Sequence, residues 1–163
     1  MSKTLIAYFS RTGITKALAR AVSVKTGSEL IAINPAKTYS SSYLVAIGQA
    51  KMEHLKNERP LIMGKPHNLE SFDNIVIMFP IWWFTCPNII LSFLEENRLT
   101  GTNIIPVCTY GSSGKGSSEQ DMQNSCPNAK FLPCIEATGL KNDAVQTIAD
   151  TILKLEADAQ NKN

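Results

Sequence analysis

Residues 7–19 read "AYFSRTGITKALA". An apolar run, Thr4-Leu5-Ile6-Ala7-Tyr8-Phe9, stops at this corner, and a helical pattern of Ile14, Ala17, Leu18, Ala21 and Val22 starts beyond it. Between them stand Ser10, Thr12 and Thr15 with Gly13 in their midst. A buried strand followed at once by a helix is the first half of a βαβ unit. The rest of the chain repeats the alternation. Glu29 to Asn34 reads as a strand ended by Pro35, and Leu44, Ile47, Gly48, Met52 and Leu55 give a second helical stripe. Pro60 to Ser71 has a glycine and two prolines and reads as irregular.

Asn74-Ile75-Val76-Ile77-Met78-Phe79 is apolar on both faces, the mark of a strand covered on both sides. A third helix carries Ile89, Ile90, Phe93 and Leu94, with Pro87 at its first turn. Asn103 to Thr109 is a fourth strand, Ser118 to Ser125 a fourth helix, and Lys130 to Ile135 a fifth strand whose Pro133 suits a sheet edge. The last helix bears Ala144, Val145, Ile148, Ala149, Ile152 and Leu155, and the polar tail Ala157 to Asn163 is expected to fray. Five such units in 163 residues predict one α/β domain over residues 1–163, a three-layer, doubly wound parallel sheet with helices on both faces. An eight-fold barrel needs a longer chain.

Composition narrows the function. The charged fraction is 18%, the hydrophobic fraction 44% and the net charge +2. Basic residues do not cluster, so nucleic acid is not an expected partner. No apolar run is long enough for a bilayer, and no signal peptide is evident, which together predict a cytoplasmic protein with no membrane partner. Cys86, Cys108, Cys126 and Cys134 are widely spaced and read as buried free thiols, with a redox thiol or zinc site as the alternative, and no metal site is expected. His54 and His67 read as surface residues, and Lys51 to Lys56 as a solvated helix face.

Ligands of doubly wound sheets sit outside the carboxyl ends of the strands. At the first corner, the unpaired amides of a helix start and the hydroxyls of Ser10, Thr12 and Thr15 make donors for a phosphate, and Gly13 lets it approach. The alternative is that Ser10 or Thr12 caps the helix. The loop matches neither GxxxxGK[ST] nor GxGxxG, against a nucleoside triphosphate or an ordinary dinucleotide site. After the third strand comes "FPIWWFTCP" (79–87), whose tryptophans suit a flat aromatic ligand, a stacked ring adding roughly 0.5–1.5 kcal/mol to its burial. After the fourth comes "CTYGSSGKGSS" (108–118), a glycine-rich arm with Tyr110. A phosphate-bearing planar ligand, FMN, fits all three.

These motifs resemble the flavodoxin family, in the group marked by "YFSRTGNT", "PIWW" and "TxGxSGxGSS". "PAKTYS" (35–40), Arg59-Pro60 and "CPNAK" (126–130) extend the similarity over nearly the whole chain. The resemblance implies a five-stranded sheet of order 2-1-3-4-5 and non-covalent FMN. By position, Ser10, Thr12, Gly13, Ile14 and Thr15 would hold the phosphate. Pro80, Ile81, Trp82, Trp83 and Phe84 would lie beside the isoalloxazine. Thr109, Tyr110, Gly111, Gly114 and Gly116 would wrap its pyrimidine edge, with Tyr39 near the mouth. Arg11 would either face solvent or screen the phosphate.

Two positions depart from the family pattern. Ile14 replaces an asparagine but keeps the backbone amide. Phe84 replaces a glycine in a loop where a peptide flip commonly answers reduction of N5. Bulky residues resist positive φ, so poor stabilisation of the one-electron-reduced flavin is expected. The implied role is an electron carrier between redox partner proteins or small-molecule donors and acceptors, as a monomer or weak dimer. A sequence pI near 8.3 sets it apart from the acidic carriers typical of the family. The alternatives are an FMN-dependent NAD(P)H:quinone or small-molecule oxidoreductase, and an interaction module without flavin.

Overall fold

The computed structural model describes residues 2–64, 68–138 and 141–161; His67 lies outside them. Five strand positions form one parallel sheet: β1 (Thr4–Tyr8), β2 (Glu29–Ala32), β3 (Asn74–Pro80), β4 (Asn103–Thr109) and, at the far edge, β5 (Lys130–Phe131) followed by β6 (Ile135–Ala137). The order is β2-β1-β3-β4-β5, with β6 also on β4. The helices are α1 (Ile14–Thr26), α2 (Tyr43–Leu55), α3 (Asn88–Asn97), α4 (Ser118–Ser125) and α5 (Asn142–Gln160).

Alternation along β3 explains its unbroken apolar run. Ile75, Ile77 and Phe79 join Ile89, Ile90, Phe93 and Leu94 of α3 and Met122 of α4 in one core layer. Val76 and Met78 join Leu18 and Val22 of α1 and Ile148 and Ile152 of α5 in the other. Helices on both faces leave the central strands no polar side. Seven successive residues of α3, Asn88 to Leu94, are buried.

Three expectations need correction. The fifth strand is not continuous from Lys130 to Ile135. Ile104 pairs with Phe131 and Val107 with Ile135, so the outer chain spends four residues where β4 spends three. That extra residue is a bulge, set where Pro133 has no amide to give. The polar tail is helical through Gln160 rather than frayed from Ala157. In α2 the buried residues are Ala46 and Ala50, one turn apart, whereas Leu44, Met52 and Leu55 are exposed. Small side chains make up the face turned inward, Ile47 is half-buried at the cleft, and Leu44, Met52 and Leu55 point away.

Candidate functional site

The first wall is the strand-to-helix corner. Phe9 N–H donates to the Met78 carbonyl (3.0 Å), keeping the chain in the sheet to its last residue before the turn. Gly13 then takes φ +95°, which only glycine adopts without strain. Ser10 Oγ accepts the Gly13 amide at 3.1 Å, and no side chain caps α1. The capping alternative therefore fails: neither Ser10 nor Thr12 reaches the amides of the second or third helical residue. Ala17 is the first amide to bond within the turn, to the Gly13 carbonyl (2.9 Å). The amides of Ile14, Thr15 and Lys16 are left without backbone acceptors, at the positive end of the helix. Thr15 Oγ1 and Thr109 Oγ1 share a buried hydrogen bond of 2.8 Å that ties this corner to the end of β4.

The second wall is an aromatic turn. Trp82 N–H donates to the Thr85 carbonyl (2.9 Å) and Thr85 N–H to that of Trp82 (3.2 Å). Between them Trp83 has φ +53° and Phe84 φ +62°. Positive φ at both central residues is the signature of a type I′ turn, normally built from Asn and Gly. Two bulky residues thus occupy positive φ in the resting loop, against their own preference. Surrounding contacts hold it there. The Trp83 indole N–H donates to the Ile47 carbonyl of α2 at 2.8 Å, and Lys51 Nζ lies 4.6 Å from the Trp83 ring centroid. The Phe84 carbonyl accepts Ser117 N–H at 2.9 Å. Asp121 of α4 accepts both the Thr85 hydroxyl and, at 2.9 Å, that of Ser117.

The third wall follows β4. Tyr110, Gly111 and Ser113 face the cleft, and the arm then turns away to dock on its neighbours. A Cβ at Gly116 would lie 1.7 Å from the Phe84 carbonyl oxygen, and one at Gly114 3.2 Å from Glu136 Oε1. That carboxylate accepts the Lys115 amide at 2.7 Å. Gly114 and Gly116 serve contact between loops, and neither lies on the cleft wall.

Together the walls enclose a cleft of about 700 Å³ at the carboxyl edge of the sheet. It gathers Ser10, Thr12, Ile14, Thr15, Pro80, Ile81, Trp82, Trp83, Phe84, Thr109, Tyr110 and Gly111 from the sequence-derived set; Gly13, Gly114 and Gly116 stand outside. Tyr43, Ala46 and Ile47 at the start of α2, with Ser113 and Thr138, complete it and were not anticipated. Among the described residues on this wall, Arg11 is the only charged side chain. Its guanidinium lies 5.8 Å from the Tyr43 ring centroid and 3.5 Å from the Ser40 and Ser41 carbonyls. The cleft is thus rich in donors at one end, aromatic at the other, and free of carboxylates along its described wall.

Tyr39 is not at the mouth. It sits behind Trp82, edge-on, with ring centroids 4.9 Å apart. Its hydroxyl donates to Glu53 Oε2 at 2.7 Å. Burial, and then the Glu53 carboxylate, push the Tyr39 phenol well above its usual range; burial also raises Glu53. The four cysteines are free; Cys86, Cys108 and Cys126 are buried, but Cys134, between β5 and β6 at the sheet edge, is only partly so. Burial drives the Cys86 thiol up to about 12, against a reactive thiolate there.

An uncapped helix start, an aromatic turn and a docked glycine arm at the carboxyl edge of a 2-1-3-4-5 sheet define a flavodoxin-type protein. The family model described as Flavodoxin matches residues 3–151, and the chain belongs to that family. Among solved structures, a protein of Bacteroides eggerthii, provisionally described as a flavoprotein, aligns at 30% identity over 94% of this chain and 99% of its own, with TM-score 0.82. A Bacteroides uniformis protein of the same description aligns at 31% identity over 91% and 98%, also at 0.82. A Lactobacillus acidophilus flavoprotein, solved in complex with FMN, shares the fold at 18% identity over 83% and 93%, TM-score 0.75. No curated protein sequence matches the chain.

Proposed function

We propose that this protein binds FMN in the cleft and carries electrons between a redox donor and an acceptor. One observation supports this reading above the others. The uncapped start of α1 and the Ser10, Thr12 and Thr15 hydroxyls share one cavity with Trp82, Trp83 and Tyr110, and the described residues put no carboxylate on its wall. Such a donor set suits a phosphate dianion, and the rings suit a flat heterocycle. The phosphate end would be held by the amides of Ile14, Thr15 and Lys16 and by the hydroxyls, with Arg11 screening its charge. The isoalloxazine would supply the redox chemistry; the chain orients it and sets the polarity around it.

The test separates the two ends of the ligand. FMN titrated into the purified protein should quench flavin fluorescence at a well-defined stoichiometry. Riboflavin, which lacks the phosphate, should bind about 100-fold more weakly, a loss on the scale of one strong hydrogen bond to a charged group. Equal affinities would remove the phosphate site from the proposal. Absence of binding by either would remove the flavin.

A second reading, an FMN-dependent NAD(P)H:quinone or small-molecule oxidoreductase, draws on the rim. Ile14, Tyr43, Leu44, Val45 and Phe84 are more than half exposed around or beside the mouth, a surface suited to a small apolar substrate. Steady-state NAD(P)H oxidation with a quinone and no added reductase discriminates the two. On anaerobic reductive titration little one-electron-reduced flavin should accumulate. Turning over the Trp83–Phe84 peptide would convert the turn to type II′ and drive Trp83 into backbone space that glycine alone occupies comfortably.

A further inference from the structure

One cleft wall continues inward as a chain of contacts that ligand binding does not require. Trp82 faces the cleft on one side. On the other it meets Phe9 edge-on at 5.3 Å and Tyr39 at 4.9 Å, with interplanar angles of 89° and 85°. Tyr39 lies off the cleft wall, and its hydroxyl reaches Glu53 Oε2 at 2.7 Å. Glu53 opens on a different cavity, a groove of about 750 Å³ between α2, residues 36–39 and residues 58–61. A half-buried phenol–carboxylate pair is a costly way to fill space that an apolar pair would fill better. It is the arrangement that oxidation of a phenol demands, because a phenol yields an electron readily only when a base takes its proton.

We propose that Trp82, Tyr39 and Glu53 form a relay that moves a one-electron oxidising equivalent out of the cleft and into the groove beside α2. A one-electron oxidant in the cleft takes an electron from the Trp82 indole and leaves its radical cation. Tyr39 returns an electron to Trp82. The Tyr39 hydroxyl proton passes along the 2.7 Å hydrogen bond to the Glu53 carboxylate. The products are intact Trp82, a neutral Tyr39 phenoxyl radical and protonated Glu53, so charge and electrons balance. In the cell the oxidant of the right class would be a photoexcited flavin, and that part rests on the function proposed above; the relay within the chain does not.

Glu53 must be ionised to act. It faces Tyr39 and Lys37 from residues 36–39 and Glu58 beyond the end of α2, and Lys56 and Arg59 line the same groove. Burial and Glu58 raise its pKa, while Tyr39 and Lys37 lower it, leaving it above the ordinary value. The relay therefore slows as pH falls through the Glu53 range.

Pulse radiolysis with azide radicals tests the chain without any flavin. In a Trp83→Phe background Trp82 is the sole indole. Its radical should decay by a first-order process, independent of protein concentration, as a phenoxyl radical grows. Adding Tyr39→Phe, which keeps the ring packed, should abolish that growth and prolong the indole radical. Adding Glu53→Gln should slow the growth about 100-fold at neutral pH and remove its pH dependence. Undiminished growth with Tyr39→Phe would assign the donor to Tyr8, Tyr43 or Tyr110 and overturn the proposal. So would an unchanged rate with Glu53→Gln, or failure of Trp82 to give a radical at all. Because the protein is flavin-free here, a failure of FMN to bind leaves this result readable.

Discussion

The two turns that face each other across the cleft meet the same backbone demand with opposite chemistry. At the α1 corner the left-handed residue is Gly13, and a Cβ there would meet nothing within 4 Å. At the aromatic turn the left-handed residues are Trp83 and Phe84, where non-glycine residues carry about 1–2 kcal/mol each. The first turn is relaxed, and its amides are left free for a ligand. The second is held in place from outside by Ile47, Lys51, Ser117 and Asp121. A binding wall can thus be made either by omitting side chains or by locking large ones against three neighbouring elements.

The contrast predicts effects of graded size. Gly116→Ala is the severest, because its Cβ meets the Phe84 carbonyl at 1.7 Å and must break the Ser117–Phe84 bond. Urea denaturation should show a loss of about 3 kcal/mol or more, and flavin affinity should fall with it. A near-neutral result would mean the arm does not clamp the turn. Asp121→Ala removes the acceptor of Thr85 and Ser117 and should cost about 2–3 kcal/mol.

A matched pair then sharpens the comparison itself. Phe84→Gly should be more stable than Phe84→Ala by about 1 kcal/mol, whereas Gly13→Ala should lose about 1 kcal/mol on the opposite wall. Equal stability of the two Phe84 variants would mean that no strain is stored there. Smallest is the pH effect at Glu53. Its folded pKa is raised, mainly by burial, so its contribution is fully present below the unfolded value and is lost as pH rises through the folded one. Glu53→Gln, which cannot ionise, should therefore gain on the parent over the interval just above 4.5 in paired chemical melts.

The layout of the sheet was legible because β3 and β4 are apolar on both faces and the Ser10–Thr15 corner marks a strand-to-helix switch. The cleft was legible as far as it is built from strand ends. What stayed hidden depends on contacts distant in sequence. The inward face of α2 is set by Ala46 and Ala50, which carry less hydrophobic signal than the exposed Leu44 and Leu55. Gly114 and Gly116 look like ligand-wrapping glycines until Glu136 and Phe84 are seen against them. Tyr39 and Glu53 are 14 residues apart, and nothing local announces that one hydroxyl meets the other's carboxylate. The left-handed Trp83 and Phe84 run against their own preferences, so tertiary contacts alone explain them.

The bulge between β5 and β6 bears on how the molecule behaves when crowded. An outermost strand with a full row of free amides and carbonyls invites a foreign strand to add to it, the first step of cross-β aggregation. Here that border is two fragments, of two and three residues, set out of step around Pro133. No extended peptide can zip along it without meeting the interruption. A highly apolar parallel sheet thereby keeps one flank poorly suited to fibril growth.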